Sequence, residues 1–231
     1  MKYPYLLFDA DDTLFDFSKA SSQAFSAMCA ANRIPNTPEV YQLYYEINKV
    51  LWQAFDRGEV TKDFVTHERY VRFLKALELD RNPSKCNQDY LAALGQSVFP
   101  LPHAEKVCRT LTSRGHHLYI VTNAVASVQR SRLALCTFGE VFEGAFISEE
   151  AGASKPDKAY YDYVRACVPE LSPDNTLVIG DSLTTDIRGA NNAGLPCCWF
   201  NPKGAAAPAK LTIDYEIRDL QELLDIVSCK K

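Results

Sequence analysis

The chain has 231 residues, 47% of them hydrophobic and 23% charged, with a formal net charge of −4. That length builds one large domain or a core with a smaller lobe, and the composition is that of an ordinary soluble globular protein. The negative balance gives no general attraction for nucleic acid or an anionic membrane, so an anionic substrate must meet a local cationic site.

The first apolar run, Tyr5-Leu6-Leu7-Phe8, stops abruptly at Asp9, Asp11 and Asp12. A short buried strand with polar groups at its tip fits this pattern; a secretory signal does not. From Phe17 to about Val98 the pattern turns helical. Val40, Leu43, Tyr44, Ile47, Leu51 and Phe55 form one amphipathic stripe that Gly58 ends. Thr61 caps a further helix to about Leu79, and Asn82-Pro83-Ser84 introduces another through Leu94. Eighty residues of helix with little strand read as an inserted lobe.

After Pro100 and Pro102 helices and apolar runs alternate. Helices near Ala104–Ser113, Val125–Leu135, Lys158–Val168 and Thr185–Ala193 precede the runs Leu118–Val121, Ala145–Ile147, Leu177–Ile179 and Pro196–Phe200. This alternation predicts an α/β fold, a Rossmann-like parallel-sheet core. Tyr215–Ile217 and Leu220–Val227 complete the layers, and Gly204–Pro208 reads as a loop. No run approaches the roughly 18 apolar residues of a membrane span. Eight cysteines, at 29, 86, 108, 136, 167, 197, 198 and 229, form no C-x-x-C pair. Reduced, mostly buried thiols in a cytoplasmic protein are expected.

Ligands of open α/β sheets bind beyond the carboxyl ends of the strands, so the residues after each run matter most. They are Asp9-Ala10-Asp11-Asp12-Thr13, Thr122-Asn123 and Gly180-Asp181-Ser182, with Asp186 five residues after Asp181, and Ser154-Lys155-Pro156-Asp157 between the last two sets. Carboxylates gathered in one pocket repel one another without a cation. Magnesium takes such oxygen ligands and completes its shell with water and substrate phosphate. Lys155 and the Thr122 hydroxyl suit phosphoryl oxygens. The set implies metal-assisted phosphoryl transfer, and the absence of a G-x-S-x-G elbow and of a G-x-x-x-x-G-K-[ST] loop argues against a serine nucleophile and a P-loop nucleotide hydrolase.

FDADDTLF, VTNA, the lysine of GASKPD, and GDSLTTDIRGA, in that order, resemble the four motifs of the haloacid dehalogenase-like hydrolase superfamily. The resemblance implies residues 1–16 and 99–231 as the catalytic core and 17–98 as a helical cap of the C1 type. It implies Asp9 as the nucleophile that becomes an aspartyl phosphate, and Asp11 as the acid and then the base. Thr122, the Asn123 backbone N–H and Lys155 would hold the phosphoryl group. Asp181 would bind Mg2+ with the Asp9 carboxylate and the Asp11 backbone carbonyl, with Asp186 supporting the ion through water or from the second shell. Asp12 stands where many members have glycine and is given no catalytic role. An acid at position 11 argues for phosphate esters over haloacids, because a departing halide needs no proton.

NKVLWQAFDRGEVT, HERYVRF and ISEEAGASKPD are similar to the house-cleaning pyrimidine 5′-nucleotidases of that superfamily. That likeness implies a pyrimidine nucleoside 5′-monophosphate as the small-molecule substrate; the charge balance leads us to expect no nucleic acid polymer or membrane as partner. Asn48 and Trp52 lie four apart on one helix face and are candidates for contacts to the base, and Arg69 is a candidate for a contact to a phosphate or a base carbonyl. The competing reading packs Trp52 in the lobe's own core and leaves Arg69 a surface charge. Alternative functions are a small-sugar phosphatase or phosphomutase with the same core, or a non-catalytic phosphate-ligand-binding protein. The sequence sets no oligomeric state.

Overall fold

The computed structural model describes residues 2–228. The chain divides into two compact units, Ser18–Ser97 and the combination of Met1–Phe17 with Val98–Lys231.

The smaller unit is helical: α1 (Phe17–Asn32, entering from the other unit at Phe17), α2 (Pro38–Asp56), α3 (Lys62–Ala76) and α4 (Pro83–Gly95). Local chemistry sets their starts. The side chains of Thr37, Thr61 and Asn82 accept hydrogen bonds from the N–H groups of Val40, Phe64 and Lys85, and Pro38 and Pro83 occupy first turns where no donor is needed. α3 stops three residues short of the expected end, because the chain turns left-handed at Glu78 (φ 54°). The four helices bury an aromatic cluster in which Phe25, Tyr44, Tyr70, Phe73 and Tyr90 have ring centroids 4.7–6.4 Å apart.

The larger unit is built on six parallel strands: β1 (Tyr5–Phe8), β2 (His117–Thr122), β3 (Phe142–Ile147), β4 (Thr176–Gly180), β5 (Cys197–Phe200) and β6 (Tyr215–Ile217). Their order is β3-β2-β1-β4-β5-β6. Both faces are covered, which is why the central strands read as unbroken apolar runs. Leu6, Phe8, Leu118, Ile120, Leu177 and Ile179 pack on one side with Val107, Cys108 and Leu111 of α5 (Ala104–Ser113). Leu7, Tyr119, Val121, Val178 and Trp199 pack on the other side with Tyr160, Tyr161 and Val164.

The remaining crossovers use α6 (Ala126–Leu135), the single turn α7 (Ser148–Ala151), α8 (Lys158–Cys167) and α9 (Arg188–Ala193). α9 is preceded by a wide π-type turn, Leu183–Ile187, and α10 (Leu223–Ser228) by a 3-10 turn, Leu220–Glu222. β3 starts three residues earlier than the apolar run suggests. It is an edge strand, and its Glu143 accepts hydrogen bonds from the Tyr119 hydroxyl (2.7 Å) and His117 Nδ1 (2.5 Å). Seven cysteines are free, all buried except Cys167, and Cys229 lies outside the described residues. Among the described residues no helix is long and apolar enough to cross a membrane.

Candidate active site

With this strand order the chain reverses direction across the sheet between β1 and β4, so a crevice opens at the carboxyl ends of these neighbours. Asp9 follows β1, and its N–H donates to Ile179 O of β4 at 2.8 Å. Asp181 follows β4, and Thr122 ends β2 on the other flank of β1. Three of the four sequence motifs therefore arrive at one crevice because parallel pairing aligns their strand tips.

Lys155 arrives from the loop before α8 and is the cationic centre. Its ammonium, 2% exposed, donates to Asp9 Oδ1 (2.6 Å), Asp186 Oδ1 (2.6 Å) and Val121 O (2.8 Å). Asn123 holds this lysine in place through its side chain. The amide donates to Lys155 O at 2.8 Å and accepts from Lys155 N at 2.9 Å, a two-point clamp on the backbone. Ser182 N donates to the second Asp186 oxygen at 3.0 Å. The resemblance implies a role for Asp186 at one remove from a metal; its carboxylate lies beside those of Asp9 and Asp181, with one oxygen from each within 4.8 Å of the others.

Three acids face one ammonium, and the electrostatics follow. Burial pushes the Asp9 carboxyl well above the usual carboxylate range; Lys155 opposes the rise, while Asp186 and Asp181 add to it. Asp181 is pushed up to about 7 by burial and then by Asp186 and Asp12. Burial alone would lower the Lys155 ammonium, but Asp186 and Asp9 hold it above its ordinary value and therefore protonated. An all-oxygen donor set with excess negative charge fits a hard divalent cation such as magnesium.

Among the phosphoryl-binding candidates Thr122 has a donor to offer, whereas the three ammonium donors of Lys155 are engaged by Asp9, Asp186 and Val121 O. The Thr122 hydroxyl oxygen accepts from Ala124 N at 3.1 Å, which leaves its own proton for an incoming oxygen. Thr122 N donates to the Tyr160 hydroxyl (3.0 Å), which donates onward to Phe146 O (2.6 Å), so one tyrosine ties the β2 tip to β3. Asp12 sits at φ 60°, the left-handed region that favours glycine, and its carboxylate accepts from Phe17 N at 3.2 Å. Thr13 Oγ1 donates to Asp181 Oδ1 at 3.2 Å.

Asp11 turns to a partner that the motifs do not contain. Its Oδ1 accepts from Nη1 of Arg132, a fully buried residue of α6, at 2.5 Å. The signal available in the sequence is faint: Val128, Gln129 and Arg132 share one helix face, and all three are buried. A polar pair on an apolar stripe needs partners elsewhere in the fold.

In the helical unit, Arg69 is 3% exposed rather than a surface charge. Its Nη1 donates to Asn48 Oδ1 (3.1 Å) and its Nη2 to Asn87 Oδ1 (2.7 Å), and the guanidinium lies 5.1 and 4.7 Å from the Tyr70 and Tyr90 ring centroids. Trp52 is half-buried, edge-on to Phe55 at 5.5 Å.

Known proteins share this sequence pattern and fold. A family model described as haloacid dehalogenase-like hydrolase matches residues 3–194. The HAD-hydrolase YfnB of Bacillus subtilis is 37% identical over 227 residues, 98% of this chain and 96% of its own length. Its crystal structure, bound to magnesium, superposes with a TM-score of 0.93, covering 99% of this chain and 100% of that one at 36% identity. Pyrimidine 5′-nucleotidase PynA of Streptococcus pneumoniae is 32% identical over 225 residues, 97% of this chain and 95% of its own. Pyrimidine 5′-nucleotidase YjjG of Escherichia coli is 30% identical over 230 residues, with 100% of both chains covered. Likeness over that extent settles the family: the chain belongs to the haloacid dehalogenase-like hydrolases.

Proposed function

We propose that the protein is a magnesium-dependent phosphomonoesterase that works through an aspartyl phosphate on Asp9 and acts on pyrimidine nucleoside 5′-monophosphates. The observation that carries this reading is the Asp9 carboxylate itself. It stands at the β1 tip with Oδ1 held by Lys155, in a cluster with Asp181 and Asp186, and its side chain is 11% exposed. A carboxylate so restrained, with its second oxygen outside the lysine contact, is presented as a nucleophile.

In the first step an Asp9 oxygen bonds to phosphorus, the bond from phosphorus to the ester oxygen breaks, and Asp11 gives that oxygen its proton. In the second, water attacks phosphorus, Asp11 recovers a proton from it, and the bond to Asp9 breaks to release inorganic phosphate. The Thr122 hydroxyl and the Asn123 N–H bind phosphoryl oxygens, while Lys155 balances their charge against Asp9. Asp9, Asp181 and the Asp11 backbone carbonyl would hold magnesium, with Asp186 beside them; when bound, the ion neutralises charge between the carboxylates and the phosphoryl group. The magnesium-bound structure of YfnB supports the choice of ion. The pyrimidine 5′-nucleotidases PynA and YjjG, aligned over nearly their whole lengths, support the substrate class.

A panel of UMP, dUMP, dTMP, purine nucleotides and sugar phosphates, assayed with magnesium by phosphate release, tests the reading. Turnover of the pyrimidine nucleotides should lead. Rapid hydrolysis of sugar phosphates with inert pyrimidine nucleotides would refute the substrate class, and phosphate transfer within a sugar phosphate without release would point to a mutase.

A further inference from the structure

We propose that Arg132 is the positioning residue for Asp11, fixing the carboxylate that moves protons in both half-reactions; this rests on the reading of Asp11 as acid and base. Arg132 is fully buried on the inner face of α6. Its Nη1 donates to Asp11 Oδ1, and the same nitrogen lies 3.3 Å from Gln129 Oε1. The guanidinium carbon lies 5.1 Å from the centroid of the Phe15 ring, within cation–π range. Among the described residues Nε and Nη2 have no hydrogen-bond partner, and Asp11 is the carboxyl group that pairs with this buried guanidinium.

The same side chain grips both ends of the loop that carries the acid. Asp11 and Phe15 form a bridge, Asp12 N donates to Phe15 O at 2.7 Å, and Phe15 N donates to Ala10 O at 2.9 Å. With the ring under the guanidinium and the carboxylate at Nη1, the Asp11 side chain has one favourable direction. The contact uses only one carboxylate oxygen, so Oδ2 remains for the proton exchanged with the ester oxygen and with water. A guanidinium can only donate, so it does not compete for that proton.

The test compares two aryl phosphates, phenyl phosphate, whose leaving oxygen needs a proton, and 2,4-dinitrophenyl phosphate, whose leaving anion does not. For Arg132→Met, kcat/KM on phenyl phosphate should fall by about 10–100-fold, the scale of a misplaced catalytic group, while kcat/KM on the dinitrophenyl ester stays within about threefold. KM for phenyl phosphate should change little. In an Asp11→Asn background, Arg132→Met should add less than about threefold. A variant that merely folds less well would lose both substrates in proportion, and that result, or no loss on either, would overturn the proposal. If the methionine protein does not fold, Arg132→Lys, which keeps the charge but not the fork, should show the same selective loss. Asp11→Asn alone separates the premises: if it spares phenyl phosphate, the acid role itself fails, whereas a selective Asp11→Asn with an unselective Arg132 variant refutes only the positioning.

Discussion

Replacing Lys155 by methionine removes the cation on which the carboxylate cluster depends while keeping side-chain length and apolar volume. The ammonium is 2% exposed and donates to Asp9 and Asp186 at 2.6 Å each and to Val121 O at 2.8 Å. Removing one partner of a buried ionic group costs about 3–5 kcal/mol, because the remaining charges are left uncompensated. In a chain of this length each kcal/mol moves the melting temperature by about 2–4 °C, so a drop of about 6–20 °C is expected for the metal-free protein. The loss should depend on pH. Burial already holds the Asp9 carboxyl above its usual range, with Lys155 pulling it down, so removing Lys155 raises it further. A carboxyl raised in the folded state binds its proton more tightly folded than unfolded. It therefore contributes stability at low pH that is lost as pH rises through the folded value, and the deficit of Lys155→Met should be larger at pH 8 than at pH 5. Calorimetry of both proteins in excess chelator at the two pH values measures this directly. A deficit below about 1 kcal/mol, or one equal at both pH values, would refute the charge-compensation argument.

Metal and backbone perturbations extend the test. Chelation should abolish phosphatase activity and magnesium restore it, with calcium a poor substitute because its larger, irregular shell misplaces the reacting groups. Asp181→Asn should raise the magnesium needed for half-maximal thermal stabilisation by about tenfold or more; an unchanged requirement would remove Asp181 from the ion's shell. Gly180→Ala should cost about 1–3 kcal/mol in urea unfolding, since a Cβ there would collide with the Asp186 carboxylate, which is 1% exposed and unable to retreat; a neutral substitution would show that this cluster yields easily.

Much of the fold is legible in the chain because a parallel sheet covered on both faces writes itself as short apolar runs, and its reactive ends as the polar residues that follow them. Leu6–Phe8 and Val178–Ile179 are buried on both sides, so Asp9 and Asp181 announce themselves by contrast. The start of β3 is illegible because Glu143 and Gly144 interrupt the apolar pattern on an edge strand, where one side of the ladder faces no neighbour. Arg69 reads as a surface charge in a polar helix, yet Asn48, Asn87 and the Tyr70 and Tyr90 rings supply a buried environment that only the packing of α2, α3 and α4 creates. Arg132 is the sharper case. Its partner lies 121 residues away, and neither local spacing nor composition links α6 to the β1 tip. Motifs point to the candidate groups for the chemistry; the residues that hold them emerge only from the fold.

The most direct test is to quench the enzyme within its first turnover of a phosphate-labelled ester, digest it and locate the label. An acyl phosphate on the side chain of Asp9, absent from Asp9→Asn although that variant still binds phosphate, is the expected result. Label on any other residue, or equal turnover by the two proteins, would contradict the account at its root.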